Sequence, residues 1–317
     1  MKKDNRPIIE HINDFLEYLD IEKGLSNKSQ ETYERFLKKF IKWLEIKNFT
    51  SLLPHDFSED HIRKYRVFLS QTFNKQTKEP LKRSTQNYYL IALRNLLNYF
   101  TDRNILSLPA EKIKLAKSKF DERMIKFLSI DQIKKLLDAP KTSTLTGLRD
   151  RAILETLFST GTRVSELTNL NREQIKVTPE TKFLEIVIIG KGSRPRPIYF
   201  SERTIKWLRK YLEARKDKEK ALFINYKGPK LALRRLSPRS VENIVKKYAI
   251  LAGMPIFTSP HTIRHSFATD LLMKGVDLRT IQEFLGHKNI STTQIYAHIT
   301  SKKLREVHRK FHGIKKV

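Results

Sequence analysis

The sequence contains no cysteine and no long apolar run. The absence of cysteine among its 317 residues excludes disulfides, thiol nucleophiles and cysteine-ligated zinc. No apolar run approaches the roughly 18 residues needed to span a bilayer. The basic start, MKKDNRPIIEH, lacks the apolar stretch that follows in a signal peptide. These absences predict a cytoplasmic protein that does not associate with membranes.

Acidic residues are scarce relative to basic ones. The chain has 63 Lys+Arg against 34 Asp+Glu, a formal net charge of +29. Such an excess favours a polyanionic partner, and nucleic acid is the commonest one. An anionic membrane surface is less favoured, because basic membrane binders concentrate their charge on one amphipathic helix. The hydrophobic fraction of 39% predicts a folded chain despite this charge.

The first part of the chain predicts a bundle of four amphipathic helices. Apolar residues recur at helical spacing in residues 7–22, 25–44, 58–73 and 84–100. Ser26 or Asn27, Ser58 and Ser84 are the predicted N-caps of the last three helices. We expect residues 1–109 to form this helical domain and the basic residues 110–126 to link it to a second domain.

Residues 127–317 predict a mainly helical domain interrupted by one hairpin. FLEIVIIG, the turn GKGS and RPRPIYF together indicate two antiparallel strands. Pro195 and Pro197 cannot donate ladder hydrogen bonds, so the second strand should lie at an edge. The helices predicted in this domain span residues 128–140, 147–160, 202–214, 237–252, 260–274, 277–285 and 291–298. The predicted fold class is therefore mainly α, in two domains, with a small antiparallel sheet.

A cluster of basic side chains lies near the start of one predicted helix. SPHTIRHSFATDLL places His261, Arg264 and His265 at positions i, i+3 and i+4, on one helix face. A helix N-terminus with an arginine and an imidazole is suited to binding phosphate. An ordinary polar helix face explains the same residues, and His265 is then a structural histidine.

Five further residues could carry chemistry, although each has an ordinary explanation when taken singly. In STGTRVSEL, Arg163 follows a glycine turn and Glu166 lies one helical turn later, a spacing typical of a weak surface ion pair. Lys191 occupies the hairpin tip, where a solvated turn lysine is common. In LGHKNISTTQIYAHIT, His287 follows a helix-ending glycine and Tyr296 follows a Ser/Thr cap. A lone tyrosine at helical spacing usually belongs to a core or an interface.

Taken together, six of these residues resemble the signature of the tyrosine recombinases. In chain order they are Arg163, Lys191, His261, Arg264, His287 and Tyr296. The flanking segments STGTRVSEL, IGKGSRPRPI, SPHTIRHSFATDLL and LGHKNISTTQIYAHIT also resemble that family, and most closely its Xer-type members, because the chain begins directly at the helical bundle. The resemblance implies an N-terminal core-binding, SAM-like bundle and a C-terminal tyrosine recombinase catalytic domain. Thr162, at a position that is often apolar, and the segment RPRP depart from the pattern without touching a catalytic position.

The resemblance also implies a role for each residue. Tyr296 would attack the scissile phosphate and form a 3′-phosphotyrosyl intermediate, which conserves the bond energy. Arg163 and Arg264 suit the phosphate, since a guanidinium stays ionised and binds its oxygens bidentately. Lys191 would protonate the leaving 5′-oxygen. His261 would share the tyrosine proton, His287 would donate to a phosphate oxygen, and Glu166 would orient Arg163. Neither a metal nor another cofactor is expected, because the set contains no carboxylate cluster.

The expected partner is a double-stranded DNA recombination site, bound as a homotetramer or as a heterotetramer with a paralogue. Lys39, Arg83, Arg94, Arg235 and Arg239 are candidate DNA contacts. The segment from Ser301 to Val317 is basic with spaced apolar residues and is suited to docking on a neighbouring protomer, although a fraying terminal helix explains the same pattern. Xer resemblance adds a septal DNA translocase as a candidate activator. The predicted task is the resolution of chromosome or plasmid dimers, with integration of a mobile element as the alternative. A type IB-like topoisomerase and a DNA-binding protein without catalysis are the other rivals.

Overall fold

The computed structural model describes residues 1–74, 78–116, 126–190, 194–227 and 234–286. The chain divides into two compact units, Met1–Glu122 and Arg123–Val317. Within the described residues both units are built mainly from helices, and the second also contains a two-stranded antiparallel sheet. The predicted fold class is thus confirmed. No helix in the described part of the chain is long and apolar enough to cross a bilayer.

The first unit contains four α-helices around an aromatic core. They are α1 (His11–Ile21), α2 (Asn27–Ile46), α3 (Glu59–Ser70) and α4 (Arg83–Asp102). The largest side chains of the core are almost fully buried: Phe15, Phe40, Trp43, Tyr65 and Phe100. Burial of such rings supplies most of the stabilisation available to a unit of this size.

Two of the predicted helix boundaries need correction. Helix α3 begins after Ser58, as predicted, but it ends at Ser70 rather than at residue 73. Helix α4 begins one residue before Ser84, because Lys82 occupies the N-cap position and its carbonyl accepts from the Gln86 N–H at 3.0 Å. Serine was the natural choice from sequence, since its hydroxyl can cap a helix, but the backbone turns earlier.

The second unit packs its helices around α6 and the hairpin. The helices are α5 (Ile130–Asp138), α6 (Leu145–Thr160), α7 (Val164–Asn169), α8 (Glu202–Ala214), α9 (Pro238–Leu251), α10 (Pro260–Met273) and α11 (Leu278–Leu285). Helix α6 contacts α8, α10 and the sheet. It is buried on nearly every side, so even Asp150 is enclosed, where it accepts from Arg149 and from the Tyr248 hydroxyl at 2.9 Å. The predicted helix at 291–298 lies outside the described residues.

The hairpin places one unexpected side chain in the interior. Strands β1 (Leu184–Ile189) and β2 (Pro195–Phe200) pair antiparallel, with Ile189 opposite Pro195. The alternation along β2 leaves Pro195 and Pro197 exposed, while Arg196, Ile198 and Phe200 point inward. The hairpin and its exposed prolines agree with the sequence pattern. The inward arginine requires a partner, since an unpaired buried charge is costly.

Candidate active site

Arg163 is held at the start of α7 by a buried carboxylate. Its backbone N–H donates to Glu166 Oε2 at 2.8 Å, and its Nη1 donates to Glu166 Oε1 at 2.9 Å. The Glu166 side chain is only 5% exposed, whereas that of Arg163 is 26% exposed. The carboxylate therefore fixes the guanidinium while leaving part of it open to solvent. Of the two explanations that the sequence offered for this pair, a weak surface ion pair does not fit the burial of Glu166, whereas orientation of Arg163 by Glu166 agrees with these contacts.

Arg264 lies on α10 and joins the ends of two other helices. Its Nη1 donates to the Gly161 carbonyl and its Nη2 to the Leu285 carbonyl, both at 2.6 Å. Gly161 ends α6 with a φ of 57°, in the left-handed region that favours glycine. A Cβ at this glycine would lie 2.4 Å from the ring of Phe267. Close approach of the backbone to α10 is therefore part of how Arg264 is placed.

The two arginines meet at the C-terminal end of α11. Nη2 of Arg163 donates to the Gly286 carbonyl at 3.2 Å, next to the Leu285 carbonyl that binds Arg264. A helix C-terminus carries partial negative charge, which favours cations there. The structure thus brings Arg163 and Arg264 together immediately before residue 287. His287, Lys191 and Tyr296 lie outside the described residues.

His261 occupies the first turn of α10, near these arginines. Partial burial and the positive charges of Arg264 and Arg163 lower its pKa, so the imidazole is neutral at neutral pH and can accept a proton. Its ring centroid lies 6.1 Å from that of His265. Burial, then His261 and Arg264, lower the pKa of His265 to about 4. The two histidines therefore add no charge to the arginine pair at pH 7.

Sequence reasoning missed Arg196 as part of this cluster. Its Nη2 donates to Glu166 Oε2 at 2.7 Å, and its Nη1 donates to the Phe284 carbonyl at 2.9 Å. From sequence, RPRP was predicted to lie in the second strand of the hairpin and to depart from the family pattern, with no role assigned to Arg196. The signal that could have found it is strand alternation, because Arg196 shares a face with Ile198 and Phe200.

Two other residues singled out from sequence also acquire structural explanations. Thr162 is buried, and its hydroxyl accepts from that of Thr160 at 3.0 Å, which satisfies the polar group at an often apolar position. Arg235 donates from Nη1 to the carbonyls of Thr168 and Leu170, at 2.7 and 3.0 Å. Its guanidinium supports the protein's own backbone, a role that was not foreseen when the sequence suggested Arg235 as a candidate DNA contact.

The described part of the site is chemically suited to binding a phosphate. Two fixed guanidiniums lie beside a neutral imidazole, and such preorganised donors stabilise charge on nonbridging oxygens. No group of three or more His, Asp or Glu side chains suited to holding a metal ion occurs among the described residues.

Comparison with known proteins identifies the class. The phage integrase family matches residues 126–303, and the phage integrase N-terminal SAM-like domain matches residues 12–104. The chain therefore belongs to the phage integrase family, the tyrosine recombinases, as the sequence resemblance suggested.

Within that family the chain is similar to Xer recombinases. It is 34% identical to tyrosine recombinase XerC of Pelotomaculum thermopropionicum over 315 residues, covering 95% of this chain and 97% of the relative. It is 35% identical to XerD of Listeria innocua over 308 residues, covering 95% and 98%. The solved structure of XerH bound to palindromic difH substrate, a post-cleavage complex, covers 98% of this chain and 99% of its own, with 23% identity and a TM-score of 0.76. The activity is accordingly that of a Xer-type site-specific DNA recombinase.

Proposed function

We propose that this chain cuts and rejoins DNA through a covalent intermediate on Tyr296. The observation that carries the proposal is the pairing of Arg163 and Arg264 at the end of α11. The two guanidiniums bind the carbonyls of Leu285 and Gly286, which in the sequence directly precede the segment in which the family pattern places His287 and the tyrosine. A tyrosine hydroxyl has an ordinary pKa of about 10, so its attack on phosphate benefits from this concentration of positive charge.

The remaining catalytic roles follow from the chemistry of each side chain. His261, neutral because its pKa is lowered, accepts the proton that leaves the Tyr296 hydroxyl. Lys191 protonates the departing 5′-oxygen, and His287 donates to a nonbridging phosphate oxygen. The phosphotyrosyl bond retains the energy of the broken phosphodiester, so rejoining needs no ATP.

The division of labour between the parts of the chain is also a proposal. Residues 1–109 bind DNA, residues 110–126 link the two parts, and residues 127–317 carry the catalytic residues. The partner is a double-stranded recombination site, as in the solved complex of XerH with difH DNA. Most of the contacts would go to phosphates, which position the protein without reading the sequence.

The biological role that we propose is resolution of chromosome or plasmid dimers in the cytoplasm. The support is the similarity along the whole chain to proteins named XerC and XerD. The same chemistry serves integration of mobile elements, and the two tasks differ in the DNA site and not in the catalytic residues.

The test of the nucleophile is covalent trapping on nicked suicide duplexes. The duplexes carry candidate dimer-resolution sites, and the protein is compared with its Tyr296→Phe variant on denaturing gels. Wild-type protein is expected to remain attached to a DNA 3′ end, while the variant binds DNA without forming the adduct. An adduct of equal yield with the variant would exclude Tyr296 as the nucleophile. On a supercoiled plasmid that carries the same sites, relaxation without recombinant products would indicate a topoisomerase instead.

We further propose that recombination requires a tetramer on two DNA sites, assembled through the C-terminal segment from Ser301 to Val317. Deleting residues 305–317 should weaken assembly of the paired complex more than binding to a half-site. The measurement is a native-gel comparison of the two complexes. An equal loss of both would contradict the docking role. A mixture with a paralogue, or with a septal translocase, then tests whether either partner is needed.

A further inference from the structure

Three arginines from different elements bind three consecutive carbonyls at the end of α11. Arg196 of β2 donates to the Phe284 carbonyl at 2.9 Å, Arg264 of α10 to Leu285 at 2.6 Å, and Arg163 to Gly286 at 3.2 Å. Two of these arginines, Arg163 and Arg264, belong to the proposed catalytic set. Arg196 does not, although it is the one that comes from the hairpin.

Glu166 connects Arg196 to Arg163. Its Oε2 accepts both from Arg196 Nη2 at 2.7 Å and from the backbone N–H of Arg163 at 2.8 Å, while its Oε1 accepts from Arg163 Nη1 at 2.9 Å. The side chains of Glu166 and Arg196 are 5% and 9% exposed. One buried carboxylate therefore shares its charge between two guanidiniums, of which only that of Arg163 reaches solvent appreciably.

The backbone at Gly286 is shaped to accommodate Arg196. A Cβ there would lie 2.6 Å from both Cδ and Nε of Arg196, well inside van der Waals contact. The glycine also has a φ of 60°, as the C-cap of α11. Close packing of the arginine on this turn links the hairpin to the backbone that leads into residue 287.

We propose that Arg196 is a positioning residue, which divides the charge of Glu166 and anchors the end of α11 so that Arg163 remains directed at the scissile phosphate. This inference rests on the proposed function. Without Arg196, the buried Glu166 carboxylate has Arg163 as its remaining partner in the cluster. The second η nitrogen of Arg163 is then drawn from Gly286 toward the carboxylate, since a buried charge demands compensation. Displacement of a phosphate-binding group by about 1 Å can cost about 100-fold in rate.

The first experiment compares Arg196→Gln and Arg196→Lys with wild type in single-turnover formation of the covalent adduct. We expect Arg196→Gln to slow adduct formation by about tenfold or more, while half-site affinity changes by less than about threefold, because the lost interaction acts on the transition state. Arg196→Lys should be intermediate, because an ammonium can pair with Glu166 but lacks the planar fork that also reaches the Phe284 carbonyl. Wild-type rates in Arg196→Gln would overturn the inference.

A matched control separates positioning from a general loss of stability. Arg215 is also buried, and it pairs with Asp217 and the carbonyls of Ala221 and Leu222. Arg215→Gln should lower the melting temperature but change the adduct rate per folded molecule by less than about twofold, because these contacts involve none of the proposed catalytic side chains. An equal slowing by Arg215→Gln would reduce Arg196 to a structural role.

A double-mutant cycle tests the route through Glu166. Glu166→Gln removes the negative charge that Arg163 and Arg196 share. In that background, adding Arg196→Gln should lower the adduct rate by less than about threefold. Fully additive losses in the double variant would contradict an effect of Arg196 that acts through Glu166.

A second test uses a substrate with sulfur in place of the leaving 5′-oxygen, which needs little protonation because thiols have a pKa of about 8.5. The slower adduct formation of Arg196→Gln should persist on this substrate. If the variant instead reacts at the wild-type rate there, Arg196 acts on protonation of the leaving group and not on the direction of Arg163.

The same assay distinguishes failure of this inference from failure of the proposed function. Wild-type protein that never forms an adduct on the suicide duplexes would overturn the proposed function. Wild-type adduct together with an unimpaired Arg196→Gln variant would overturn the role of Arg196 alone.

Discussion

At the residue scale, Arg163 and Arg264 differ in how they meet the solvent. Arg264 is 4% exposed and donates to two backbone carbonyls, while the side chain of Arg163 is 26% exposed and is fixed from behind by Glu166. Both guanidiniums are held by the protein itself, and donors fixed in this way need no reorganisation to stabilise an anionic charge. The guanidinium of Arg163 is the more open of the two, and its direction is set by Glu166 and by the Gly286 carbonyl.

Stability of the second unit should depend on pH through His265. The folded-state pKa of about 4 lies below the ordinary value of about 6.5, so the unfolded chain takes up the proton first as pH falls. The contribution of neutral His265 to the free energy of unfolding is fully present above about pH 6.5 and is lost as the pH falls toward 4. The total loss is about 3 kcal/mol. Urea unfolding should be measured at about pH 7 and about pH 4.5. The free energy of unfolding should drop between these pH values by about 2 kcal/mol less in His265→Gln than in wild type. Equal losses in both proteins would exclude His265 as the source.

Arg239 and Arg235 form a matched pair for separating DNA contact from scaffold. The Arg239 side chain is 80% exposed, whereas Arg235 binds the carbonyls of Thr168 and Leu170. We expect Arg239→Gln to weaken DNA binding uniformly and to reduce the salt slope by about 1. Arg235→Gln should leave the salt slope unchanged. It should destabilise the fold by on the order of 1–3 kcal/mol, because two buried carbonyls lose this donor, and so lower the melting temperature by several degrees. Binding isotherms at several salt concentrations, with melting curves, check both, and the reverse pattern would contradict the assignment.

At the scale of elements, the end of α11 organises the described part of the site. Its last carbonyls accept from side chains of β2, α10 and the residue that caps α7. A helix of only eight residues thus anchors three separate parts of the second unit. The negative end of its dipole favours all three guanidiniums.

Gly286→Ala should disrupt this anchor more than its backbone conformation alone explains. Gly286 and Gly253 have φ values of 60° and 64°, but a Cβ at Gly253 would meet nothing within 4 Å. Both substitutions incur a left-handed backbone cost of about 1–2 kcal/mol. Only Gly286→Ala also forces Arg196 to move, so it should slow covalent adduct formation by about tenfold, while Gly253→Ala leaves the rate nearly unchanged. Similar adduct rates in the two variants would show that Arg196 accommodates the methyl group.

At the scale of the whole molecule, the distribution of charge is uneven. Residues 1–127 carry 25 basic and 17 acidic residues, a net of +8, and residues 128–317 carry 38 and 17, a net of +21. The catalytic part of the proposed recombinase therefore supplies most of the electrostatic attraction for DNA.

DNA affinity should fall steeply with salt. If about eight phosphates are neutralised, the slope of log K against log salt should be about −7. Fluorescence titrations of a half-site duplex between about 50 and about 300 mM salt provide the measurement, and over this roughly sixfold range a slope of about −7 lowers the affinity by about five orders of magnitude. A slope shallower than about −2 would contradict extensive phosphate contact by the protein.

Much of the fold was predictable because it is encoded locally. Helix α8 spans Glu202–Ala214 as its apolar spacing predicts, and the hairpin occupies the predicted β-branched segments. Ser84 shows the limit of local rules, because α4 begins before it. For the site, the family pattern identified Arg163 and Arg264 as members of one set, and the structure places both guanidiniums at the end of α11.

The family, the sign of the partner's charge and the residue types of the chemistry follow from composition, order and spacing, and all three can be read from the chain alone. The burial of Glu166, the backbone contacts of Arg235 and the place of Arg196 in the cluster emerge when the elements pack. These properties depend on residues that are about 30 to 120 positions apart in the chain, as with Glu166 and Arg196 or Arg163 and Gly286. Burial and long-range hydrogen bonding arise only when the packed elements exclude water, so no local pattern reports them.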